Sequence, residues 1–109
     1  MKHLLFDLID CPPDLLDDED FVRLSVWNAA KESKSELINI SCHKFKPQGV
    51  TALAMLAESH LSIHTWPEKG VAYCDIFTCG EQCQPESAVE YLSKWLSSTN
   101  TKSKCYERI

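Results

Sequence analysis

Residues 57–70 read AESHLSIHTWPEKG. Ser59 offers a hydroxyl between Glu58 and His60, and His64 follows further along the same segment. Three chemistries suit these residue types. The first is a hydrolase nucleophile at Ser59, but no GxSxG elbow surrounds it. In an extended segment His60 would also point to the opposite face, and nothing in the sequence assembles a Ser-His-Asp triad. The second is a metal site. His60, Ser62 and His64 fall on one face of a strand, so the two histidines could share a zinc ion if Cys74 or Cys79 completed the set. The spacings Cys74-x4-Cys79 and Cys79-x3-Cys83 match no usual zinc pattern. A histidine on a strand face is more often a hydrogen-bonded polar residue than a ligand. The third reading is therefore an ordinary strand with polar decoration.

The surrounding elements must position these groups. KHLLFDLID (2–10) reads as a first strand closed by CPPD. Residues 13–33 read as a helix, with acids crowding its start. Asp14 and Asp18 are both candidate N-caps, and Phe21, Leu24, Trp27 and Ala30 fall on one face. ELINISCHKF (36–45) alternates Ile38, Ile40 and Cys42 with Asn39, Ser41 and His43, as a half-buried strand does. KPQG (46–49) is a turn. VTALAMLA (50–57) is a central strand or a short buried helix, and the flanking turn favours the strand. HLSIHTW (60–66) and VAYCDIFTC (71–79) read as strands joined by the turn PEKG (67–70). PESAVEYLSKWLSS (85–98) is a second helix with Pro85 in its first turn. Its apolar stripe is Val89, Leu92, Trp95 and Leu96. The polar tail leaves room for a short edge strand. Consecutive strands joined by tight turns imply an antiparallel sheet, giving an α+β two-layer sandwich with two helices on one face. The other face needs a cover. A second copy of the chain is the natural candidate, which would make a four-layer αββα dimer.

The 109 residues suit one domain. A formal net charge of −5 argues against nucleic acid as the main partner. No window is apolar enough to span a membrane, and Asp7 interrupts the apolar stretch that a secretory signal would need. A cytoplasmic location is expected, with the six cysteines kept as thiols. Most of them are best read as small core residues.

AESHLSIHTWPE, followed by DIFTCGEQCQPESAVEYL, resembles the small prokaryotic S-adenosylmethionine decarboxylase proenzymes, which use a pyruvoyl cofactor. KHLLFDLIDC resembles the opening strand of that family, and AAKESKSELINISCHKFKPQGVTA the segment before its cleavage site. The order and spacing of ESH, IHTWPE and FTCG make the likeness specific. The resemblance implies that the chain breaks itself between Glu58 and Ser59, giving fragments 1–58 and 59–109. The Ser59 hydroxyl would attack the Glu58 carbonyl carbon, and the amide would become an ester. Elimination and loss of ammonia would then leave a pyruvoyl group at the new N-terminus. That ketone would form a Schiff base with the substrate amine and take up the electrons released with carbon dioxide. No pyridoxal phosphate and no metal would be required.

The other roles are carried over from matching motifs. His64 matches the histidine assigned to processing. Cys79, in FTCG, matches the proton donor to the decarboxylated carbon; an ordinary thiol, with a pKa of about 8.5, is protonated at neutral pH and can serve as an acid. Thr51, in GVTA, stands where many relatives carry serine and keeps the hydroxyl that polarises the carbonyl during the acyl shift. Phe45 and Trp66 match positions flanking the adenine ring, and Glu68 matches the acid that receives the ribose hydroxyls. The resemblance thus implies S-adenosylmethionine as substrate, a dimer packed sheet to sheet, and a product that serves as aminopropyl donor for spermidine. Two other readings are a pyruvoyl-dependent arginine or ornithine decarboxylase on the same scaffold, and a non-catalytic regulatory homologue paired with an active subunit.

Overall fold

The computed structural model describes residues 1–57, 59–79 and 81–109. Glu58, expected at the cleaved bond, and Gly80, the last residue of FTCG, lie outside the described residues. Six strands are present among the described residues: β1 (Lys2–Ile9), β2 (Leu37–Lys44), β3 (Val50–Leu56), β4 (Ser59–Trp66), β5 (Val71–Thr78) and β6 (Asn100–Glu107). They form one antiparallel sheet in the order β2-β3-β4-β5-β1-β6. Strands β2 through β5 follow one another as a meander. The first strand enters beside β5, and the last closes the far edge.

Period-two alternation gives the sheet two unlike faces. Leu4, Phe6 and Leu8, Ala52, Ala54 and Leu56, Leu61 and Ile63, and Ala72, Cys74 and Ile76 are buried on one side. Three helices cover that side: α1 (Pro13–Leu16), α2 (Glu19–Glu32) and α3 (Pro85–Trp95). Among the described residues no helix lies on the opposite face. It leaves Leu5, Leu53, Met55, Trp66 and Tyr73 exposed among histidines, hydroxyls and acids.

The α+β sandwich was expected with two helices, and it has three among the described residues. Pro13 opens a single turn, and Asp17 then leaves the helix to accept the Gly49 N–H at 2.8 Å and the Lys44 ammonium at 2.9 Å. Asp18 caps the next helix by accepting from the Phe21 N–H. The buried stripe of α2 is also rotated from the expected one. Val22, Ser25, Val26, Ala29 and Ala30 face the sheet, while Leu24 and Trp27 are exposed. Both stripes have helical spacing, and the smaller residues allow the closer approach to the sheet. Leu92 and Leu96 are buried as expected, but Trp95 is exposed. The polar tail forms a full eight-residue strand, paired with β1 from Lys2 to Ile9, rather than a short one.

Candidate active site

The β2–β3 and β4–β5 turns meet at one end of the sheet. Gly49 has φ +108, and a Cβ there would lie 3.2 Å from the Thr65 carbonyl oxygen, so the turn needs glycine. The Gly49 carbonyl accepts the Phe45 N–H at 2.8 Å, and its own N–H goes to Asp17. The hydrogen bond from Gly49 and the neighbouring Lys44 hold the Asp17 carboxyl below its ordinary value. On the other side, Pro67–Lys69 forms a 3₁₀ turn, closed by Gly70 in the left-handed region.

Between these turns lies a cavity of about 500 Å³, lined by Phe45, Gln48, Thr51, His64, Trp66 and Glu68 among others. Five of its walls are residues singled out from the sequence. Thr51 and His64 are cross-strand partners, and Thr51 Oγ1 lies 3.0 Å from His64 Nδ1. Phe45 and Trp66 are both exposed, and Trp66 meets Tyr73 edge-on at 5.4 Å. This end of the sheet thus joins a hydroxyl–imidazole pair to aromatic surface and a carboxylate.

Ser59 sits at the other end. It is the first residue of β4, half-buried, and shares a cavity of about 420 Å³ with Asn39, Ser41, Leu53, Met55 and His60. Five residues of extended chain separate it from His64, about 17 Å at strand rise. Its parity is that of Leu61 and Ile63, opposite to His64. Within one chain, therefore, Ser59 does not meet Thr51 and His64. Cys79 lies on the Ser59 side. His60 pairs with Phe77, and Cys79 follows two residues later, half-buried, its carbonyl accepting from Cys83 Sγ at 3.5 Å. The open space beside Ser59 is large enough for the three-carbon pyruvoyl group that the sequence resemblance implies at that position.

A further cluster escaped the sequence reading. Asp75, on β5, accepts at Oδ2 from Nε2 of His60 and Nε2 of His3, each at 2.8 Å. Ser62 Oγ donates to its other oxygen. Burial pushes the Asp75 carboxyl up, but the bonds from Ser62, His3 and His60 outweigh it and leave the group below its ordinary value. The signal was available: an acid in the middle of the apolar strand VAYCDIFT. Ligand atoms of His3, His60 and Asp75 lie within 4.8 Å of one another, the donor set of a transition-metal site. The tautomers oppose that use, because Arg108 Nη1 lies 3.2 Å from His3 Nδ1 and donates to it, leaving the proton on the nitrogen a metal would need. The suggested partnership of His60 and His64 with Cys74 does not form. Cys74 is buried on the helix side, where burial pushes its thiol well up, and burial likewise takes Cys11 to about 11.

The model of the S-adenosylmethionine decarboxylase family matches residues 2–109. The chain is 50% identical over 107 residues to the S-adenosylmethionine decarboxylase proenzyme of Prochlorococcus marinus strain MIT 9313, covering 98% of this chain and 86% of that one. It is 45% identical over 101 residues to the proenzyme of the same name from Methanococcus maripaludis, covering 93% and 83%. The crystal structure of the adenosylmethionine decarboxylase from Aquifex aeolicus VF5 superposes with a TM-score of 0.91 at 33% identity, covering 98% of this chain and 88% of that one.

Proposed function

Because the chain belongs to the S-adenosylmethionine decarboxylase family, we propose that it decarboxylates S-adenosylmethionine on a pyruvoyl group made from its own Ser59. The observation that carries the reading is the gathering of Phe45, Thr51, His64, Trp66 and Glu68 around one cavity. An adenine ring suits the two aromatic faces, which would also attract a sulfonium, and Glu68 is suited to accept from ribose hydroxyls. A linear basic amino acid needs none of this, and the relatives are named for S-adenosylmethionine, so arginine and ornithine are not favoured as substrates. Ser59, His64 and Cys79 are all present, which also disfavours a non-catalytic homologue.

The chain would first act on itself. Ser59 Oγ attacks the Glu58 carbonyl carbon, the amide C–N bond breaks, and residue 58 is left esterified to Ser59. Loss of the Ser59 α-proton and of the Glu58 carboxylate gives dehydroalanine. Water then replaces its nitrogen, which leaves as ammonia. The name proenzyme, carried by the relatives, supports such a step. Thr51 would polarise the carbonyl under attack, and His64 would assist the elimination. Once formed, the pyruvoyl group supplies an electrophilic carbonyl and an electron sink for decarboxylation. Cys79, at the Ser59 end, would return a proton to the α-carbon. Phe45, Trp66 and Glu68 would fix the nucleoside. The product would serve as aminopropyl donor for spermidine.

The separation of Ser59 from Thr51 and His64 supports a dimer. Two open faces packed together, related by a two-fold axis perpendicular to the strands, would lay the His64 end of one copy over the Ser59 end of the other. The same packing would cover Leu5, Leu53, Met55 and Tyr73. The four-layer αββα arrangement is thus part of the proposal, as is a cytoplasmic location. No helix among the described residues is long and apolar enough to cross a membrane.

Intact-mass measurement and release of labelled carbon dioxide from S-adenosylmethionine, arginine and ornithine test the reading together. Two fragments split before Ser59, and release from S-adenosylmethionine alone, are expected. A whole chain, or activity confined to a basic amino acid, refutes it.

A further inference from the structure

The hydrogen-bonded cluster on the open face has no part in the scheme above, yet it is joined to the reacting residue by one peptide bond. His60 follows Ser59 on β4. Its Nε2 donates to Asp75 Oδ2 at 2.8 Å. That carboxylate is itself fixed from two further directions, by His3 on β1 at 2.8 Å and by Ser62 Oγ. Arg108 holds the far nitrogen of His3. Phe77 packs against both imidazoles, 5.2 Å from the His3 ring and 6.1 Å from the His60 ring. The donors all run one way: Arg108 to His3, then His3, His60 and Ser62 to Asp75.

Such a carboxylate is an expensive means of holding strands together. Asp75 must be desolvated, and the backbone ladder already pairs His60 with Met55 on one side and Phe77 on the other. What the ladder does not provide becomes apparent once the chain is cut before residue 59. Residue 59 is then a chain end at the last step of the ladder, opposite Leu56 and joined covalently only through its amide to His60, and chain ends fray. An electron sink works only while its carbonyls and the adjoining amide stay conjugated, so rotation about that tether costs rate.

We infer that Asp75 is a positioning residue that clamps His60, and through it the keto group at residue 59, in the orientation that decarboxylation requires. The inference rests on the reading that Ser59 becomes that group. Asp75 touches neither substrate nor Ser59 in this role. It acts through His60, with His3 and Ser62 holding Asp75 in turn.

The test uses the full chain, purified after processing, as wild type, Asp75→Asn, His60→Ala and His60→Gln. Glutamine keeps an N–H donor at about the reach of the imidazole. Intact mass reads cleavage, steady-state kinetics separate kcat from KM, and hydrogen exchange followed by mass spectrometry compares residues 59–64 with residues 50–56. Asp75→Asn and His60→Ala are expected to cleave. Their kcat should fall by about tenfold or more, with KM within about twofold of wild type. Exchange should quicken in residues 59–64 and stay unchanged in residues 50–56, and His60→Gln should restore most of both readouts. The inference fails if kcat is retained in Asp75→Asn, if exchange rises evenly across the sheet, or if that variant stays whole. A wild-type chain that stays whole overturns the reading of Ser59 and this inference with it. A cleaving wild type beside an Asp75→Asn variant with unchanged kcat and exchange overturns this inference alone.

Discussion

The two ends of β4 present different chemistry on the same strand. At the Ser59 end the groups are knitted to one another: His60, His3 and Ser62 all donate to Asp75. At the Trp66 end the aromatic faces and Glu68 are turned outward around a cavity and are not consumed in contacts with one another. The first is the arrangement of a region that must hold its own backbone still. The second is the arrangement expected of the proposed nucleoside pocket. Thr51 and His64, at the receptive end, carry the roles proposed for self-cleavage, while Ser59, the proposed nucleophile, is at the other. That mismatch is what the proposed dimer would resolve, and it supplies the sharpest ways to break the comparison.

The largest effect is expected from Ser59→Ala, which removes the proposed nucleophile and the proposed precursor of the ketone together. It should leave one uncleaved mass and no detectable decarboxylation. His64→Ala alone should also stay largely uncleaved. Co-expression of the two variants then tests the division of labour. In a mixed dimer, one copy retains Ser59 and the other His64, so one site of each pair is complete. Cleavage of the His64→Ala chain in that mixture is the expected result. If both chains stay whole when a mixed dimer is recovered, each site lies within one copy and the two-ended description is wrong.

Cys79→Ala comes next. As the proposed proton donor it should lower turnover by about 10²- to 10⁴-fold, the usual worth of a general acid. Its thermal midpoint should stay close to wild type, since Cys79 is only half-buried. Retained turnover would move the acid to another group at the Ser59 end.

Much of this was legible in the sequence, for physical reasons that also explain the misses. Strands β2 to β5 could be read because alternation and the KPQG and PEKG turns are local signals. The boundary between α1 and α2 could not, because Asp17 leaves the helix to accept the N–H of Gly49, thirty-two residues away. The stripe of α2 was misplaced because periodicity gives a spacing but not which of two stripes meets the sheet. Phe45, Thr51, His64, Trp66 and Glu68 were named from motifs and do share a cavity. Their distance from Ser59 was hidden, because a motif gives order along the chain and not the length of an extended strand in space. Asp75 was visible only as a charge in an apolar run, and its partners come from β1 and β4.

At the receptive end the expected effects are smaller and fall on binding. Trp66→Ala should raise KM for S-adenosylmethionine by between about threefold and tenfold with kcat little changed, because an aromatic contact is worth about 0.5–1.5 kcal/mol. A loss confined to kcat would place Trp66 with the chemistry instead.

The smallest effect tests how that end is supported from behind. Asp17 fixes the loop between Phe45 and Gly49 by accepting from the Gly49 N–H and from Lys44. Asp17→Asn should therefore raise KM by about twofold, through a looser Phe45 wall. It should also change the acid limb of stability in a definite sense. The Gly49 and Lys44 contacts hold the native carboxyl below its ordinary value, so between the two values the unfolded chain binds more protons than the folded one. The stabilisation is then complete above the ordinary value of about 3.9 and is lost as the pH falls through the lowered native value. Thermal midpoints of wild type and Asp17→Asn should accordingly differ at neutral pH and converge in strong acid. A constant gap down to the acid limit would mean that the amide fails for a reason of shape, and that the charge of Asp17 has no part in holding the nucleoside end in place.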